Sequence, residues 1–256
     1  MTDSILQSSS TELQGQWALI TGAAKRIGAC LARTLHQHGA NIVVHYGSSA
    51  GDAEALVAEL NRVRENSAVA MQADLRSSDA LASLVEGVVA KTGGLNILLN
   101  NASTFYPTPL DEVTEQQWDD LLGTNLKAPL FLAKAAAPHL RQSGGQIINI
   151  VDIHSQRPLK NHPLYGSAKA GLAMLTRSLA KDLAPEVRVN GISPGAILWP
   201  EDGMSEKAEQ AIVRQIPLAR VGQPEDIART ALFLIKDAPY ITGQIIAVDG
   251  GRSVGW

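Results

Sequence analysis

The chain predicts a single α/β domain, a doubly wound parallel sheet of about seven strands with helices on both faces. Three observations carry that prediction. Short β-rich runs alternate with longer helical stretches; several of the runs are apolar throughout, as in strands buried on both faces; and a glycine turn joins the first run to the first helix. At 256 residues the chain suits one core and buries most of the surface its unfolded form exposes.

Strands are predicted over 17–21, 41–46, 68–73, 97–100, 146–151, 188–192 and 245–248. Helical patterns lie between them over 27–38, 51–64, 78–91, 115–140, 166–183 and 224–235. Right-handed parallel connections then gather ligands at the carboxyl ends of the strands. Residues 1–14 are polar and serine-rich and read as a flexible arm before one domain over 15–256, with no secretory leader pattern. Nothing later is long enough to span a bilayer. Only 18% of residues are charged and the net charge is −3, which gives no electrostatic case for nucleic acid or an anionic membrane. The single cysteine, Cys30, excludes an internal disulfide framework and fits the cytoplasm; it reads as a small buried thiol, with a reactive one as the alternative. No metal site is expected.

The first strand runs into Thr21-Gly22-Ala23-Ala24-Lys25-Arg26-Ile27-Gly28 and then a helix. Gly22 permits a tight turn, Gly28 lets helix and strand approach closely, and the helix start offers N–H groups and a positive dipole end to a pyrophosphate. A glycine pair is often only structural, but its place between first strand and first helix favours the Rossmann-like reading. Arg26 and Ile27 occupy the part of the turn where a third glycine often lies, which makes Arg26 a candidate anion ligand. The second strand ends Val43-Val44-His45-Tyr46-Gly47-Ser48-Ser49, without an acid. An acid there would bond the ribose diol of NAD and repel a 2′-phosphate, so its absence beside Arg26 favours NADP, with His45, Tyr46 and Ser49 close by. Asp74-Leu75 follow the third strand, where the acid either holds an adenine amino group or caps the next helix. Asn101, Ala102 and Ser103 end the fourth strand, small enough for backbone to pass near a cofactor, or simply a turn.

Tyr165-Gly166-Ser167-Ala168-Lys169 opens a helical stretch, so phenol and ammonium share one face. A free phenol titrates near about 10. A nearby ammonium favours phenolate, and a drop of two or three units asks for roughly 3–4 kcal/mol, which Lys169 and a nicotinamide's positive charge would supply together in a dry cleft. A bare Tyr-x-x-x-Lys is common by chance; its context gives it meaning.

With Asn125, Pro194-Gly195 and Val248-Asp249-Gly250-Gly251, in that order over 21–251, these residues resemble the short-chain dehydrogenase/reductase family. The resemblance implies hydride transfer between a nicotinamide dinucleotide and a small molecule, with Tyr165 as acid–base residue. It also implies that Lys169 holds the nicotinamide ribose, that Asn125 holds a water linking Lys169 to solvent, and that Pro194-Gly195 border the nicotinamide.

That family usually has a serine thirteen residues before the tyrosine; here the position is Asp152. A carboxylate at a strand end is otherwise an ordinary solvated turn. At this position it repels the oxyanion of a ketone being reduced, but bonds heterocycle N–H groups or shares a proton with Tyr165. Asp152, Arg26 and Asn101-Ala102-Ser103-Thr104-Phe105-Tyr106-Pro107-Thr108-Pro109 together resemble the pteridine reductase branch, which reduces pterins and folates with NADPH. By that resemblance Phe105 stacks the pterin on the nicotinamide and Ser103 contacts cofactor or substrate. Tyr165, assisted by Asp152 and Lys169, then protonates the ring nitrogen beside the carbon that takes the hydride. The branch often has an arginine where Ser48 stands, which leaves a 2′-phosphate to Arg26, His45 and Ser49. A carbonyl reductase of the same family, with an oxoacyl or sugar substrate, is the alternative; a non-catalytic NADP-binding sensor is a third reading, opposed by Tyr165, Lys169 and Asn125. The irregular stretch 194–217, with Trp199-Pro200-Glu201-Asp202-Gly203-Met204, reads as a lid or a passive loop. Surplus alanine and leucine on 115–140 and 166–183, with the family's habit, imply a homotetramer.

Overall fold

The computed structural model describes residues 13–199 and 203–254. In chain order it runs β1 (Trp17–Ile20), α1 (Arg26–Gln37), β2 (Asn41–Tyr46), α2 (Ala50–Val63), β3 (Ala68–Gln72), α3 (Ser78–Thr92) and β4 (Ile97–Asn100). The second half holds α4 (Glu115–Leu122), α5 (Ala128–Ser143), β5 (Gln146–Ile150), α6 (Pro163–Asp182), β6 (Arg188–Pro194), α7 (Glu206–Val213), α8 (Pro224–Lys236) and β7 (Ile245–Val248). The seven strands form one parallel sheet in the order β3-β2-β1-β4-β5-β6-β7. The winding reverses between β1 and β4, and a crevice opens at their carboxyl ends, where ligands of such sheets bind.

Side-chain alternation explains why the strands are apolar throughout. Ile20, Ile42, Val44 and Leu99 face one way, into a core shared with α1, α2 and α8. Leu19, Val43 and Leu98 face the other way, against α3 and α5. Truncating one such leucine to alanine costs about 2–5 kcal/mol.

Two expected elements differ. The stretch 115–140 is not one helix: a wide π turn, Gly123–Lys127, separates α4 from α5. The Asn125 side chain causes the break, its Nδ2 donating to the Leu121 carbonyl (2.9 Å) that a regular helix would give to the Asn125 backbone N–H. The stretch 194–217 contains α7, capped by the Ser205 hydroxyl accepting from the Ala208 N–H. Residues 200–202 of the expected lid lie outside the described residues, as do 1–12 of the expected arm. Leu13, at the end of that arm, is buried in the core and donates its N–H to the His38 carbonyl. Cys30 is half-buried; burial first, and Glu225 second, push its thiol up, which fits an inert side chain.

His36 and His45 are both buried, and burial draws each below its ordinary value. Between that value, about 6.5, and the lowered one, the unfolded chain binds protons that the folded chain refuses. Stability is therefore full above about 6.5 and declines as pH falls below it. Thermal melts at pH 7.5 and 5 check this: a lower melting temperature at pH 5 is expected, and an equal or higher one contradicts it.

Candidate active site

The chain leaves β1 through Gly22, whose φ of +60° is left-handed and whose added Cβ would stand 3.0 Å from Ala102 Cα. Gly28 is tighter still, because a Cβ there would lie 2.2 Å from the Gly22 carbonyl oxygen. Thr21 ties the end of β4 to this turn, its hydroxyl oxygen accepting from the N–H groups of Asn101 and Ala102 at 3.0 Å each. Asn101 Nδ2 donates back to the carbonyls of Thr21 and Gly22 (2.9 and 3.1 Å). Helix α1 begins after Lys25 with no side-chain cap, so its first N–H groups are left for a ligand. Arg26 adopts φ +52°, strained by about 1–2 kcal/mol for a residue with a side chain, at the place where a glycine is usual. Its guanidinium donates to the Trp199 carbonyl (3.1 Å).

A cavity of about 970 Å³ follows the turn, from Lys25, Arg26, Ser48 and Ser49, past Gly22, Ile27, Gly28 and Ala102, to Asp74-Leu75 and Ser103. Its size and its uncapped helix end fit an extended dinucleotide, and three cations line it: Lys25, paired with Asp52 (3.0 Å), Arg26 and Arg76.

The first two turns of α6 present Tyr165 and Lys169 on one buried face. The Tyr165 hydroxyl donates to Asp152 Oδ2 at 2.8 Å. Asp152 is fixed at the end of β5, its Oδ1 accepting from the His154 N–H (2.7 Å). Lys169 Nζ donates to the Ile150 carbonyl at 3.0 Å. Burial, reinforced by the Asp152 carboxylate, pushes the phenol far above its ordinary value. Burial draws the Lys169 ammonium down to about 8, with Asp152 opposing. The Lys169 ammonium by itself does not lower the phenol; the expected lowering also called on a nicotinamide's positive charge. The ammonium is committed to a carbonyl, and an anion is the phenol's hydrogen-bond partner. Tyr165 stands as a neutral proton donor.

Phe105 is half-exposed, its ring stacked on His162 (centroids 4.8 Å apart, planes 13°) and edge-on to Tyr165 (4.8 Å, 77°). Ser103 Oγ donates to Asn125 Oδ1 at 2.6 Å. Asn125 Nδ2 donates to the Leu121 and Thr104 carbonyls at 2.9 Å each.

Several expected roles change. The Asn125 side-chain amide laces the π turn to the loop after β4. His45, expected to share a 2′-phosphate, has both ring nitrogens occupied within the protein: Nδ1 accepts from the Gly22 N–H and Nε2 faces the Ala73 carbonyl, each at 3.2 Å. Tyr46 is packed partly buried against the core and is not in the cavity lining. Asp74 does not cap α3, since Ser77 does. Its carboxylate is held in three contacts by the Arg76 guanidinium and backbone N–H, which draw it down to about 2. Pro194 ends β6, and Gly195 backs against Asp249, where a Cβ would sit 2.7 Å from the Asp249 Cβ. Lys25, Thr21 and His162 escaped sequence reasoning. Lys25 was legible as Arg26's neighbour, whereas the other two act through contacts that only the fold creates.

A family profile described as Enoyl-(Acyl carrier protein) reductase matches residues 22–253. The chain is 39% identical to pteridine reductase 1 of Leishmania tarentolae, over 93% of this chain and 96% of that protein. It is equally 39% identical to the 3-oxoacyl-(acyl-carrier-protein) reductase FabG of Staphylococcus aureus, over 91% and 96%. An uncharacterized oxidoreductase of Methylorubrum extorquens is 36% identical, over 94% and 99%.

Proposed function

Because the chain belongs to the short-chain dehydrogenase/reductase family of oxidoreductases, we propose that it is an NADPH-dependent pteridine reductase, taking pterins, dihydropterins or dihydrofolate to tetrahydro forms. The observation that carries this reading is the 2.8 Å hydrogen bond from the Tyr165 phenol to the Asp152 carboxylate. A 3-oxoacyl reductase, which the equal likeness to FabG keeps as the competing reading, must stabilise a developing alkoxide. A fixed anion beside the donor phenol works against that charge. A pterin instead offers N–H groups to the carboxylate and a ring nitrogen to the phenol.

Bound NADPH supplies the hydride. The Gly22 turn and the uncapped start of α1 receive the pyrophosphate, while Lys25 and Arg26 take the 2′-phosphate with Ser48 and Ser49. Phe105, braced by His162 and Tyr165, forms one wall of a flat slot. Asp152 keeps spare lone pairs for a substrate N–H, since each of its oxygens has one hydrogen-bond donor here. Tyr165 delivers its proton to the ring nitrogen. Phenolate and carboxylate cannot both stay anionic at that separation, so the pair regains a proton quickly, and the Lys169 ammonium balances the charge meanwhile.

NADPH oxidation with dihydrobiopterin, dihydrofolate and an acetoacetyl thioester tests the assignment. Turnover of a pterin is expected, and turnover of the thioester alone overturns it. Arg26→Ala is expected to raise the KM for NADPH by about 10–100-fold, the worth of a charge-assisted bond, and to leave that for NADH near its starting value. Equal effects on both cofactors contradict the NADP assignment. The enzyme is further proposed to act in the cytoplasm as a homotetramer, with the exposed Trp118 and Leu130 on α4 and α5 as part of its contact surface. A monomer mass by light scattering overturns the tetramer. Among the described residues, no helix is long and apolar enough to cross a membrane.

A further inference from the structure

His45 is 2% exposed at the carboxyl end of β2, and the proposed phosphate ligands surround it without using it. Its ring touches two different backbones. Nδ1 accepts the Gly22 N–H at 3.2 Å, and Nε2 lies 3.2 Å from the Ala73 carbonyl, which only a protonated Nε2 satisfies. The neutral Nε2–H tautomer is thereby fixed. Its own carbonyl accepts the Ala23 N–H at 2.9 Å, so His45 secures two successive N–H groups of the glycine turn. Ala73 directly precedes Asp74 and Leu75, and all three line the same cavity.

We propose that His45 is the positioning residue of the dinucleotide site: one neutral imidazole, its tautomer fixed by the Ala73 carbonyl, accepts the Gly22 N–H and so sets the shape of the pyrophosphate turn. The inference rests on the dinucleotide reading above and gives His45 a different task from phosphate binding. The Gly22 and Ala23 N–H groups are turned into the protein, which leaves the uncapped N–H groups at the start of α1 for the cofactor. Without an acceptor at Nδ1, the half-buried Gly22 N–H loses its partner and the turn relaxes. The reacting atoms are elsewhere, so the chemical step is spared once the cofactor is bound.

Leucine and asparagine have nearly the same shape, but only asparagine keeps an acceptor where Nδ1 stands. The test titrates NADPH into wild type, His45→Leu and His45→Asn, following nucleotide fluorescence, and records kcat at saturating NADPH. Expected is a Kd weakened about tenfold or more in His45→Leu, within about threefold of wild type in His45→Asn, with kcat within about twofold in both. Equal Kd in wild type and His45→Leu overturns the inference, as does equal weakening in both variants. A matching fall of kcat in His45→Leu also overturns it, because it points to general damage. Should the leucine protein not fold, His45→Met, which also lacks an acceptor at that place, is read against the same expectations. A wild type that binds neither NADPH nor NADH overturns the dinucleotide reading itself, and this inference with it.

Discussion

On the proposed function, the Tyr165→Phe protein is expected to reduce dihydropterin about 10²–10⁴-fold more slowly than wild type, the span that a positioned general acid contributes. Phenylalanine fills the same buried place and keeps the edge-on contact with Phe105, so the change deletes the hydroxyl and little else. NADPH affinity stays close to wild type, because the turn that receives the pyrophosphate lies on β1 and α1. The pH profile adds a second signature. Lys169 is charged below about 8 and loses its proton above that value, leaving the phenolate formed in turnover unbalanced beside Asp152. Wild-type turnover therefore falls as pH rises through about 8, and this limb disappears from the residual activity of Tyr165→Phe. Single-turnover traces across pH 6 to 9.5 check both points. Undiminished reduction by the variant requires another proton donor and removes Tyr165 from the chemistry.

Asp152→Ser carries the second large effect. The carboxylate accepts from Tyr165 and from the His154 N–H, and in the proposed complex also accepts an N–H of the pterin. A charge-assisted hydrogen bond is worth about 1.5–3 kcal/mol, so its loss lowers pterin kcat/KM by about 10–100-fold. Serine removes the anion that pushes the phenol up, and its hydroxyl donates to a carbonyl oxygen in place of repelling it. Reduction of a 3-oxoacyl thioester should therefore rise in the same protein, which a general loss of structure would not produce.

The sheet was legible because its strands are buried on both faces and hence apolar without interruption, as Ile20 and Leu19 illustrate from opposite sides. The glycine turn was legible because Gly22 and Gly28 stand where no Cβ fits. The π turn was not, because a hydrophobic pattern over 115–140 carries no trace of where the Asn125 amide bonds. The Tyr165/Lys169 spacing gave the shared face correctly but not the hydrogen-bond partners of phenol and ammonium. Spacing reports that an ammonium is near; it does not report that Lys169 bonds a carbonyl while Asp152 takes the hydroxyl. His45 was misjudged for a related reason: a polar residue at a strand end suggests a ligand contact, and only the fold reveals that its nitrogens are already spoken for.

The central claim is that Asp152 beside Tyr165 commits this site to a nitrogen heterocycle. The ratio of kcat/KM for dihydrobiopterin to that for an acetoacetyl thioester, measured with NADPH in wild type and Asp152→Ser side by side, tests it most directly. The predicted result is a ratio well above one in wild type that falls by about tenfold or more in the variant. A wild-type ratio below one, or a ratio that the substitution leaves unchanged, contradicts the account.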